Sequence, residues 1–114
     1  DAPENWMVSE FCFGTQLFKR DSEFFKKCDV VLKESFSKTE YMSHPYTDVQ
    51  ALKEKFDFQC INFSIGYYRY HTPHEYVVVE DVYNGIATGR KMIESLGYKK
   101  YKLKANKNPH RLFA

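Results

Sequence analysis

Between Leu17 and Phe36 the apolar residues fall at Leu17/Phe18, Phe24/Phe25, Cys28, Val31/Leu32 and Phe36, with Lys and Asp between them. That is the spacing of a helix with one buried face, and it is the strongest periodic signal in the chain. It directly follows Trp6-Met7-Val8-Ser9-Glu10-Phe11-Cys12-Phe13, a short apolar run stopped by Gly14, which predicts a strand feeding a turn. A strand followed at once by an amphipathic helix commits the first third of the chain to an α/β arrangement, because the helix needs a sheet face to cover.

The remainder continues that order. Thr39 to Tyr46 is polar and broken by Pro45, whereas Thr47-Asp48-Val49-Gln50 has the form of a capping box and predicts a short helix from Asp48 to about Phe56. Phe58-Gln59-Cys60-Ile61-Asn62-Phe63-Ser64-Ile65 alternates and is rich in β-formers, so it predicts a buried strand ending at Gly66. A loop from Tyr67 to Tyr76 follows. Beyond it, Asp81 is placed to cap a last helix with an apolar stripe of Val82, Ile86, Ile93 and Leu96, closed by Gly97. The expected fold class is α/β, a partial layered α/β/α sheet, with residues 1–98 as one domain portion and 99–114 as a basic tail.

Charge supports that division. The last sixteen residues hold Lys99, Lys100, Lys102, Lys104, Lys107 and Arg111 and no acid, which leaves 11 basic against 15 acidic residues in the rest. The net +2 of the chain therefore covers an acidic body of −4 with a cationic end, read as a solvated extension. With 43% hydrophobic and 18% aromatic residues the chain has ample material for a core. Its 114 residues suit a single domain, and no apolar run is long enough to span a bilayer. Cys12, Cys28 and Cys60 are odd in number and widely spaced, so they suggest neither a disulfide framework nor a thiolate metal site but buried thiols in a reducing, cytoplasmic setting. The chain opens Asp1-Ala2-Pro3, as expected of a cleavage product or part of a longer polypeptide.

The loop concentrates the chemistry. Tyr67, Tyr68, Arg69, Tyr70, His71, Thr72, His74, Glu75 and Tyr76 lie between a buried strand and a helix. In open α/β sheets such loops at strand carboxyl ends carry the functional groups. A neutral imidazole held by a neighbouring carboxylate or carbonyl is a common metal ligand, and hydrogen-bonded structural histidines are commoner still.

The ordered set Tyr46-Thr47-Asp48-Val49-x-x-Leu52, Ile61-Asn62-Phe63-Ser64-Ile65-Gly66-Tyr67-Tyr68 and His71-Thr72-Pro-x-Glu75-Tyr76-Val77 resembles the C-terminal part of co-catalytic zinc exopeptidases, a metallopeptidase group of related aminopeptidases and carboxypeptidases. The resemblance spans about Tyr41 to Leu96. It implies hydrolysis of peptides or related amides with zinc as cofactor, and His71 as the last metal-ligand histidine. By the same resemblance Thr72 and Glu75 shape the loop, Tyr67 and Tyr68 line the pocket mouth, and Thr47 and Asp48 place a helix or the substrate end. Asp48 as a simple cap, Glu75 as an ion-pair partner of Arg69 and the tyrosines as packing are the alternative roles.

A two-metal hydrolase needs several further ligands and a carboxylate base. The His-x-Asp element and Glu-Glu pair that supply them in this group do not occur here, so no catalytic residue is assigned. The expectation is a C-terminal segment that is not catalytic alone and becomes a hydrolase only when completed by a missing N-terminal portion or another chain. The alternative is a peptidase-derived interaction or structural module. A nucleic-acid role rests on the tail and the tyrosine-rich loop, and the acidic body speaks against it.

Overall fold

The computed structural model describes residues 4–44 and 47–102; the basic stretch from 103 onward, together with Pro45 and Tyr46, lies outside them. The described residues form a small mixed α/β fold with three helices and two sheets. β1 (Met7–Cys12) turns through Phe13 and Gly14 into β2 (Thr15–Gln16), and α1 (Glu23–Ser35) follows. Phe13 and Gly14 have φ of 49° and 78°, the two successive left-handed residues that suit a tight hairpin. The helix starts at Ser22, whose hydroxyl accepts the Phe25 N–H at 3.1 Å, rather than at Leu17. Leu17 and Phe18 precede it and are fully buried.

The polar stretch after α1 forms β3 (Glu40–His44), which the sequence had not suggested. It runs parallel to β1 in the register Met7↔Glu40, Val8↔Tyr41 and Ser9↔Met42, then slips by one residue so that Phe11 faces Ser43. Strand, helix and parallel strand make one βαβ unit. Then come α2 (Asp48–Lys55), β4 (Asn62–Phe63), the hairpin of β5 (Tyr67–Tyr68) and β6 (Tyr76–Val77), and α3 (Val79–Leu96).

β4 pairs antiparallel to β1, with Val8 opposite Phe63 and Ser9 opposite Asn62. Since β3 fills one edge of β1, β2 and β4 share the other end to end. This explains why the expected strand Phe58–Ile65 shrinks to two residues. β2 already occupies the Phe11–Cys12 end of the edge, and the amides of Gln59 and Cys60 bond instead to the Tyr101 and Leu17 carbonyls at 2.7 and 2.8 Å.

Tyr41, Val8 and Phe63 form a row across the three lanes of the sheet, and α1 covers it. Phe25 stacks on Phe18 at 5.0 Å and meets the Tyr41 edge at 5.3 Å, while Phe36 tilts against Phe63 at 6.1 Å. The Tyr41 hydroxyl donates to Asp29, and Arg20, forked onto Glu10 at 2.8 and 3.0 Å, lies 4.5 Å above the Tyr41 ring. Burial, then that bond to Asp29, pushes the Tyr41 phenol well above its ordinary pKa. Burial likewise pushes the Cys28 thiol up to about 12. All three cysteines are free and buried.

α3 packs beside α1, and Asn84 reaches across to donate to the Ser35 carbonyl at 3.0 Å. Its buried residues are Gly85, Thr88 and Met92. The expected stripe is therefore displaced in part: Val82 is half-buried and Leu96 packs against the core, whereas Ile86 and Ile93 are 56% and 74% exposed. Small residues face inward because the helix approaches the chain after β4 closely. A Cβ on Gly85 would stand 2.8 Å from Ile65 Cγ1 and 3.3 Å from its Cα. The helix also begins earlier than expected, with Val78 in the cap position and Asp81 inside the first turn. Among the described residues, no helix is long and apolar enough to cross a membrane.

Candidate functional site

The loop of tyrosines and histidines is a hairpin. Tyr67 pairs with Val77 and Tyr68 with Tyr76, and the Tyr68 and Tyr76 rings stack at 5.3 Å. Its root is Gly66, where three parts of the chain meet: the Gly66 N–H donates to the Glu4 carbonyl at 2.8 Å, and the Gly66 carbonyl accepts from Val78 N–H at 2.9 Å. Gly66 has φ of 97°, and an added Cβ would lie 2.3 Å from Asp81 Cβ, so only glycine fits there without displacement. Asp81 in turn accepts from the Tyr68 hydroxyl. Burial first, and then that bond, raises the Tyr68 pKa. This Tyr68–Asp81 tie was missed by sequence reasoning, which had assigned Asp81 to a helix cap.

The connection between β5 and β6 is organised by its own side chains. Thr72 donates its hydroxyl to the Arg69 carbonyl at 2.5 Å and accepts the His74 N–H at 3.2 Å. Glu75 accepts the His71 N–H on its carboxylate at 3.0 Å. Together these bonds hold Arg69 and His71 in the left-handed region, at φ of 52° and 61°. The His71 side chain is exposed and meets the Tyr70 ring edge at 5.1 Å. The Tyr67 hydroxyl is buried with no hydrogen-bond partner among the described residues, and burial raises its pKa.

Thr47 and Asp48 lie elsewhere. They open α2, where Thr47 is buried and Asp48 is exposed in the first turn. The expected capping box does not form: Thr47 makes no side-chain cap bond. Gln50 instead accepts from the Cys12 thiol at 3.2 Å and donates to Glu54 at 3.1 Å. These contacts tie the start of α2 to the Cys12 end of β1. The hairpin hangs from the other end, because β4 runs against β1 and delivers Ser64 to Met7 and Tyr67 to Glu4. The loop therefore emerges at the amino ends of β1 and β3 rather than at their carboxyl ends. A strand of this length separates the two groups by about 17 Å, at roughly 3.3 Å per residue. The structure brings Tyr67, Tyr68, His71, Thr72 and Glu75 together and leaves Thr47 and Asp48 apart from them.

No family model matches the chain, and neither a curated protein nor a solved structure matches it. Among the described residues, no group of three or more His, Cys, Asp or Glu side chains could hold a metal ion. The donors described here therefore do not fit a zinc ion by themselves. Glu75, the acid nearest His71 in the turn, already uses a carboxylate oxygen to fix the His71 backbone.

Proposed function

We propose that this chain is the C-terminal segment of a zinc-dependent exopeptidase, with His71 as one prospective metal ligand and no catalysis by the segment alone. The observation that carries the reading is the hairpin turn. His71 is exposed on a backbone pinned by Glu75 and Thr72, in the same hairpin as a buried Tyr67 hydroxyl that has no hydrogen-bond partner among the described residues. A residue held at positive φ by surrounding bonds is the kind of local strain found at ligand-binding positions. In this reading Thr72 and Glu75 fix the turn, Tyr67 and Tyr68 form the wall beside it, and Thr47 and Asp48 serve only to open α2. The remaining metal donors and the general base would come from an N-terminal portion or a second chain, and the substrate would be a peptide.

The lack of a three-donor cluster among the described residues favours one second reading, a peptidase-derived module that binds a partner without catalysis. Intact mass and metal content of the protein from its native source separate the two. A longer species, or a stable second chain, carrying about two zinc ions supports the peptidase segment. A metal-free species of 13.6 kDa overturns it and leaves the module.

A further inference from the structure

A second site lies away from the hairpin, in a groove of about 700 Å³ between the segment after α2 and the C-terminal end of α3. Its floor is Phe24, Leu96 and Tyr101, with the Phe24 and Tyr101 rings 5.7 Å apart. Phe56, Phe58 and Ile93 rise from the walls and are 51%, 36% and 74% exposed. Around this apolar trough stand Lys55, Lys99, Lys100 and Lys102, against Asp57 as the one acid lining it among the described residues. The wall is well anchored: Gln59 donates to the Lys102 carbonyl at 3.2 Å, and Lys99 pairs with Glu23 at 2.6 Å.

We propose that this groove docks an acidic peptide segment bearing bulky apolar side chains. Charge complementarity names the occupant. Lys55 belongs to α2 and the other three lysines to the chain after α3, so the cations flank the trough on two separate stretches. A single-headed amphiphile would want its cation at one end of an enclosed tube. Cations spread along an open apolar trough match carboxylates spaced along a peptide, with aromatic or aliphatic side chains between them on the floor. Residues 103–114 include Lys104, Lys107 and Arg111 and no acid, so they do not carry the charge of this partner. The inference is independent of the peptidase reading.

The test is fluorescence anisotropy of a fluorescein-labelled peptide, Asp-Glu-Phe-Leu-Glu-Asp, titrated with the 114-residue chain. Binding is expected in the range of about 10–100 μM, and to weaken at least about tenfold in Lys55→Glu/Lys100→Glu and as salt is raised. The charge-reversed peptide Lys-Arg-Phe-Leu-Arg-Lys should not bind. Lys55 and Lys100 are exposed, so the variant should keep the parental far-UV spectrum; Phe58→Ser tests the apolar half separately. Absence of binding, equal binding of the charge-reversed peptide, or full affinity in the lysine variant overturns the proposal. So does dodecanoate binding in the groove without competition from the peptide.

Discussion

The two long helices lie side by side and are used in opposite ways. α1 directs Phe24, Phe25, Cys28, Val31 and Leu32 inward, and the sheet meets them with Val8, Tyr41 and Phe63. α3 buries Gly85, Thr88 and Met92 and turns Val79, Tyr83, Ile86 and Ile93 outward, all of them more than half exposed. The difference teaches that one side of the molecule has finished its packing, while the other offers apolar surface of the kind that marks a binding face. The hairpin belongs to the second side, since α3 holds it through Tyr68 and Asp81.

Given that contrast, cutting a large side chain on α1 should cost far more than cutting one on α3. Leu32→Ala should lose about 2–5 kcal/mol of stability, and Ile93→Ala no more than about 0.5. Urea melts of both variants check this, and equal losses would break the comparison. Next in size is the inner face of α3, where two glycines should behave oppositely. Gly85→Ala drives a Cβ into Ile65 and should cost about 1–3 kcal/mol. At Gly89 the nearest atom to an added Cβ is Phe63 Cζ at 3.8 Å, so Gly89→Ala should gain up to about 1 kcal/mol from helix propensity. Thermal midpoints decide the pair.

Alkaline pH sharpens the contrast further. The folded Cys28 thiol is held near 12 by burial, above its ordinary 9.0, so the native state keeps a proton that the unfolded chain releases. Its contribution is whole below pH 9 and fades as pH climbs toward 12, by up to about 1.4 kcal/mol per pH unit. Stability against pH for the parent and for Cys28→Ala should diverge in that window, with the variant falling less steeply. The smallest effect belongs to the solvated face of α1, where Lys33 pairs with Asp29 at 2.8 Å one turn away. Lys33→Ala should cost about 0.3–0.5 kcal/mol, and that loss should shrink in high salt.

Much of the packed side was legible in the sequence, since the Phe24 to Leu32 spacing states a helix and its face outright. Its start was misplaced because Leu17 and Phe18 continue the same periodicity by accident; they are buried beside the sheet, and the true signal was Ser22. β3 was hidden because its sequence is largely polar, although its Tyr41 lies in the row under α1. The α3 face was misread for a different reason. Hydropathy ranks Ile86 and Ile93 as core, but the space beside Ile65 admits a glycine and little more. For the site, the composition of residues 67–76 marked the turn, whereas its place at the far end of the sheet depends on the direction of β4. That direction is set by the pairing of Phe63 with Val8, a long-range fact no local pattern records.

The late arrival of β4 also sets an order of assembly. Met7 waits for Ser64 and Glu4 for Tyr67, so β1 is fully paired only after residues 57 positions further along have been made. As the chain is synthesised, β1, α1 and β3 can join while part of the opposite edge of β1 still lacks its neighbour. Until residues 60–67 emerge, that edge is an open template for strands of other molecules, which makes this interval the point of greatest risk for aggregation.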